Sequence, residues 1–135
     1  MHHEPVIDEA TGRKFYLDLP DDTGRPLTFL LNLHGGGSFG AWQRLYFPAH
    51  DYADAHALVV AAPTAATAEP SRHWVAEADD GHLQNVVSLV AGRFGDSLRS
   101  WHCAANHHRG TGLIPVAGAT MIPLGVSHSS EPFPF

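Results

Sequence analysis

Apolar positions between residues 13 and 95 fall into runs of different period, and each run predicts an element. From Arg13 to Leu19, Phe15, Leu17 and Leu19 alternate with Lys14, Tyr16 and Asp18, the two-residue period of a half-buried strand. Pro20-Asp21-Asp22-Thr23-Gly24-Arg25-Pro26 reads as a turn, because Asp and Gly accept unusual dihedrals and Pro presets them. Leu27 to Leu33 is almost continuously apolar and short, as a strand covered on both faces would be. Ala41 to Ala57 changes to helical spacing, with Trp42, Leu45, Tyr46, Ala49, Tyr52 and Ala53 recurring. Pro48 divides this stretch into a short lead-in and a helix starting near the proline, where a missing N–H costs nothing. Leu58 to Pro63 is a second buried strand, and Thr64 to Ala78 is a loop without a period. Asp79 or Asp80 then caps the clearest helix, which carries Leu83, Val86, Val87, Val90 and Phe94 on one face and stops at Gly95.

The order strand, strand, helix, strand, helix predicts an α/β protein on a mostly parallel sheet. Such an order calls for another buried strand next, and the residues after Gly95 supply no obvious one. The charge pattern changes at the same place. Residues 1–95 hold twelve acidic and six basic side chains, whereas residues 96–135 hold two of each, with four of the eleven histidines. We therefore divide the chain into residues 1–95 and a divergent tail, residues 96–135, expected to be irregular or poorly ordered. A shift of reading frame shortly after Gly95 would produce this abrupt change.

Composition narrows the function classes. A chain of 135 residues has room for one core. A net charge of −6 without a basic patch argues against a nucleic-acid partner. The longest uncharged stretch, Gly110 to Ser130, is broken by two Pro and four Gly and has no basic flanks, so no membrane span is expected. Met1-His2-His3-Glu4-Pro5 lacks the basic start and apolar core of a signal peptide, which points to the cytoplasm. His2 and His3 read as a disordered terminus, and one cysteine, Cys103, leaves no intramolecular disulfide.

Candidate chemistry sits directly after the first buried strand, in His34-Gly35-Gly36-Gly37-Ser38. Consecutive glycines let the backbone turn sharply and aim N–H donors at a developing oxyanion. A phosphate loop would need Lys and then Ser or Thr after the glycines, and here the first basic residue is Arg44. A plain tight turn is the other reading. His34 is expected to brace the loop rather than to act in catalysis.

The strand entering His34-Gly35-Gly36-Gly37-Ser38, followed by Trp42-Gln43-Arg44, Leu58 to Thr64, Trp74 and Asp79-Asp80 opening a helix, resembles the N-terminal half of the α/β-hydrolases. The likeness is to their polyhydroxybutyrate-depolymerase and feruloyl-esterase-like branch, and it spans about residues 13–95. It implies a partial α/β-hydrolase fold, a serine-type ester hydrolase with small esters or polyesters as substrates, and no cofactor. It also implies an oxyanion hole at Gly36 and Gly37.

The family pattern breaks at the nucleophile. No Gly-x-Ser-x-Gly occurs, and the nearest run, Gly125-Val126-Ser127-His128-Ser129, lacks the last glycine. Two prolines in the six residues after it cannot build the required helix, so Ser127 is set aside. The resemblance therefore implies a catalytically incomplete chain. Arg72, His73 and Trp74, in the loop after the second buried strand, are candidates to line an acyl or aryl pocket, with a packing role for Trp74 as the alternative. Metal binding by His102, Cys103, His107 and His108 is a competing reading, opposed by ligands confined to one local cluster. The last reading is a non-catalytic remnant or small binding module, self-associating through an exposed sheet edge.

Overall fold

A computed structural model of the chain describes residues 1–105 and 126–129. Its centre is a six-stranded sheet in the order β1-β2-β4-β3-β5-β6. The strands are β1 (His2–Asp8), β2 (Arg13–Leu19), β3 (Leu27–Leu33), β4 (Leu58–Pro63), β5 (Leu98–Ala105) and β6 (Val126–Ser129). β1, β2 and β4 pair antiparallel, while β4, β3, β5 and β6 run parallel. This is the α/β architecture expected, built on a mostly parallel sheet.

Two short helices, α1 (Gly40–Tyr46) and α2 (Ala53–His56), lie over one face of the sheet, joined by a 3-10 turn at Ala49–Tyr52. The cluster beneath them is small: Leu30, Ala49, Leu58, Val60 and Ala104, with Phe47 against it. The long helix α3 (Ala76–Phe94) covers the other face. Leu83, Val86, Val87 and Val90 pack there with Phe15, Phe29, Leu31, Val59 and Trp101 in one buried cluster. Each such side chain contributes about 1.5–3 kcal/mol on full burial, which makes this face the main source of stability. Among the described residues no helix is long and apolar enough to cross a membrane.

Four expectations change. His2 and His3 are not a loose terminus: all seven residues of β1 pair with β2, and His3 Nδ1 lies 2.8 Å from Asp18 Oδ1. β1 carries few apolar residues because it is an edge strand, where Pro5 also fits. The strand missing after α3 is β5. Between Leu27 and Thr28 its register against β3 shifts, so that Arg99 is an extra residue. The bulge puts Leu98 on the same side as Trp101 and Cys103, all three in the cluster under α3, and erases the two-residue period. The sheet thus continues past Gly95, to Ala105; of the remaining tail, residues 106–125 and 130–135 lie outside the described residues.

The third change concerns α3, which starts three residues before Asp79. From inside the first turn, Asp79 Oδ2 accepts the Val75 N–H at 2.7 Å, so the carboxylate caps from within. The fourth is α1, whose polarity is inverted. Gln43 and Arg44 face inward, where Gln43 Nε2 donates to Asn32 Oδ1 at 2.9 Å and Arg44 grips the buried Asp18 at 2.7 and 2.9 Å. Trp42, Leu45 and Tyr46 point outward, 54%, 68% and 68% exposed.

A second buried polar cluster pins α3 to the β1–β2 turn. Asp8 accepts from Thr11 Oγ1 at 2.7 Å and Asn85 Nδ2 at 3.1 Å, and His82 Nδ1 sits 2.8 Å away. Burial pushes the Asp8 carboxyl up, but these hydrogen bonds together outweigh it and bring it down to about 2.

Candidate functional site

The triglycine loop leaves the carboxyl end of β3, at the sheet's switch point. From β3 the chain crosses to β4 on one side, and β5 is followed in the sheet by β6 on the other. Open α/β sheets form their ligand crevice at such a point.

His34 is the hinge of the loop, 1% exposed. Its Nδ1 lies 2.8 Å from Gly35 O, an acceptor only, so Nδ1 carries the proton. Nε2 then accepts the Ala65 N–H at 3.0 Å. Burial holds the imidazole below its ordinary pKa of 6.5 and keeps it neutral. The bracing role expected of His34 is what this geometry shows.

Beyond His34 the backbone reverses. Ser38 N–H reaches back to Gly35 O at 3.2 Å, and Gly37 takes a positive φ of 78°, a conformation that costs a residue with a Cβ. Gly37 N–H donates to Arg72 O at 2.7 Å. This corrects the expectation that it faces an oxyanion: the left-handed turn sends it back to the protein. Gly36, exposed at the apex, has an N–H that meets no acceptor among the described residues. Ser38 Oγ is buried and, among the described residues, also unpartnered.

Residues 64–75 form a strap behind the loop. Trp74 stacks on His34 with ring centroids 4.7 Å apart, and its Nε1 donates to His34 O at 2.9 Å. Arg72 Nη1 donates to Ala65 O at 2.7 Å. His73 bridges to Thr67 through its backbone, and its Nδ1 lies 2.7 Å from Ser71 O. The side chains of Arg72 and Trp74 are thereby hydrogen-bonded to the backbone around the loop. The packing alternative for Trp74 is the one observed.

The strap is anchored in turn by Arg13 and Asp79. Arg13 Nη2 donates to Thr64 O at 2.6 Å and to Asp79 Oδ1 at 2.8 Å, and Nη1 donates to Ala78 O at 3.1 Å. Asp79 Oδ1 also accepts the Ala66 N–H at 3.0 Å. At the other end of the loop, Gly40 N–H donates to Thr64 Oγ1 at 2.8 Å. A Cβ on Gly40 would lie 2.6 Å from Ala62 O, so only glycine lets α1 start this close to the end of β4.

Of the four residues of the metal reading, the two described ones, His102 and Cys103, do not converge. His102 and Cys103 are neighbours on β5 and point to opposite faces, Cys103 into the cluster under α3. Burial pushes the Cys103 thiol up to about 12, far from the thiolate a metal needs. His107 and His108 lie outside the described residues, and among the described ones no group of three ligand side chains could hold a metal. Ser127 is inside β6, opposite His102, and not at a strand-to-helix turn. An open cleft of about 760 Å³, lined in part by Leu19, Asp21, Arg93 and Phe94, lies where β2 and α3 end and involves no residue of the glycine loop.

No protein-family model and no curated protein matches the sequence. Solved structures do share the fold. An acetyl xylan esterase from Aspergillus awamori superposes with a TM-score of 0.62 at 12% identity, over 78% of this chain and 42% of the esterase. TT1662 from Thermus thermophilus gives 0.53 at 18% identity, over 78% and 47%. FphF of Staphylococcus aureus, a fluorophosphonate-binding serine hydrolase solved with substrate bound, gives 0.53 at 21% identity, over 77% and 46%. The chain has an α/β-hydrolase-like fold, and it spans less than half the length of these structures.

Proposed function

We propose that this chain carries the oxyanion-binding half of a serine-type ester hydrolase of the polyhydroxybutyrate-depolymerase and feruloyl-esterase-like kind, acting on small esters or polyesters. One observation carries the reading: a buried strand runs straight into a braced glycine loop whose apical N–H, on Gly36, is left without an acceptor among the described residues. A donor held in place before charge develops needs no reorganisation when the tetrahedral intermediate forms, and such a donor contributes on the order of 10²–10³ in rate. Gly36 is the donor in this account, and Gly37 keeps the loop closed on the strap.

No Gly-x-Ser-x-Gly occurs in the sequence, which supports reading the attacking half as absent from this chain. β5 continues the sheet to Ala105, and this supports placing the departure from the family pattern past Ala105 rather than directly after Gly95. Reading the other two frames of the gene downstream of that codon is expected to reveal Gly-x-Ser-x-Gly; its absence from both overturns the frame-shift reading. The chain alone is expected to hydrolyse no 4-nitrophenyl ester and to take no fluorophosphonate label. A label on any serine would show that the machinery is complete.

The oxyanion reading itself is tested by titrating the chain with methylphosphonate, a tetrahedral anion, while following backbone amides by NMR. The Gly36 proton is expected to move downfield and saturate. An unmoved Gly36, or equal shifts scattered over the surface, overturns the reading.

A further inference from the structure

The inverted helix α1 leaves an apolar face that is largely exposed among the described residues. Trp42, Leu45 and Tyr46 stand three and four residues apart and so share one side, and Phe39 extends it, its ring centroid 6.5 Å from that of Trp42. All four are 46–68% exposed. The polar residues between them are spent inward, Gln43 on Asn32 and Arg44 on Asp18, so the helix contributes no free charge to the face.

We propose that this face is the contact surface of a two-fold dimer of the chain. A helix of this kind is convex, whereas small ligands need concave sites. Without charge of its own the face recognises neither an acidic nor a basic partner, but it is complementary to itself, as a two-fold interface requires. With aromatic side chains offering roughly 150–250 Å² each, the four residues expose about 500 Å² of apolar surface. Two copies would bury about 1,000 Å² through these residues alone, the lower bound for a specific interface. The association is therefore expected to be reversible and closed at two copies. It differs from strand pairing at a sheet edge, which joins backbone groups and does not involve these side chains.

Sedimentation of the full chain over a range of concentrations tests this. The expected result is a monomer–dimer equilibrium, with Trp42→Ser/Tyr46→Ser weakening it at least tenfold while leaving the thermal melt in place. A cross-link gives an independent readout, because Cys103 is buried and unreactive. Leu45→Cys is expected to form a disulfide-linked dimer in air, and Leu89→Cys, exposed on α3, is not. A monomer at every concentration, open-ended growth, association unchanged in the double variant, or equal cross-linking at position 89 would each overturn the proposal. So would a monomer that adsorbs to polyester particles through Trp42, which would assign the face to a polymer surface instead.

Discussion

Trp74 holds His34 twice: the two rings stack at 4.7 Å, and the indole N–H donates to the His34 carbonyl at 2.9 Å. The two residues are forty positions apart, and their contact ties the strap to the first residue of the glycine loop. Trp74→Phe keeps a ring on His34 and loses the hydrogen bond, and is expected to cost about 1 kcal/mol. Trp74→Ala loses both, and because Trp74 is only partly buried the cost should be about 2–3 kcal/mol, below that of a core tryptophan. Urea unfolding of the two variants checks the order.

The buried histidines set a pH dependence. Burial holds both His34 and His82 below the ordinary 6.5. A histidine whose folded pKa lies below its unfolded value takes up its proton more readily when unfolded, so stability rises with pH. Their contribution is intact above about 6.5 and is lost as the pH falls through that value toward the folded pKa values. At His34 the incoming proton lands on Nε2 and displaces the Ala65 N–H. Asp8, at about 2 against 3.8, keeps its contribution above 3.8 and loses it only toward 2. A decline between about pH 7 and 5 therefore belongs to histidine. His34→Gln should lower stability by about 1 kcal/mol near pH 8 and flatten the decline, as urea midpoints across the range would show.

The glycines of the loop are not equivalent. Gly36 lies outside the positive-φ region, and a Cβ added there would meet nothing within 4 Å, so Gly36→Ala should be neutral within about 0.5 kcal/mol. Gly37 has the same free space but a φ of +78°, and Gly37→Ala should cost about 1–2 kcal/mol from backbone strain. At Gly40 the added carbon meets Ala62 O at 2.6 Å and Pro63 O at 3.0 Å, both backbone. Gly40→Ala should be the worst of the three, at about 3 kcal/mol or more. Thermal melts of the three variants would show whether this order holds.

What the sequence made legible was governed by period and by glycine. β3 and β4 were readable because strands covered on both faces are apolar throughout, and the loop was readable because three glycines follow one of them directly. β5 was not, since the extra residue at Arg99 puts Leu98 and Trp101 on one face at an odd spacing. α1 showed its helical period, but the period does not say which face is buried. Here the inward face is polar because Asn32 and Asp18 wait beneath it. The strap was hidden for another reason: Arg72 and Trp74 bind carbonyl oxygens, and any residue can supply a carbonyl.

Asp79 is the anchor of the strap. It is 1% exposed and accepts from Arg13 and from the Ala66 and Val75 N–H groups. Asp79→Ala leaves the Arg13 guanidinium without its carboxylate, held only by the Thr64 and Ala78 carbonyls, and two amides without their acceptor, and should cost about 3–5 kcal/mol. Asp79→Asn keeps one acceptor oxygen and should cost less. Denaturant midpoints for the two variants distinguish these outcomes.

Of the two apical glycine amides one closes the loop and the other meets no acceptor among the described residues, and amide hydrogen exchange followed by NMR reads this directly. Gly37, bonded to Arg72 O, should exchange slowly, and Gly36, with no acceptor among the described residues, should exchange close to the rate of an open chain. A protected Gly36 beside a rapidly exchanging Gly37 would contradict it.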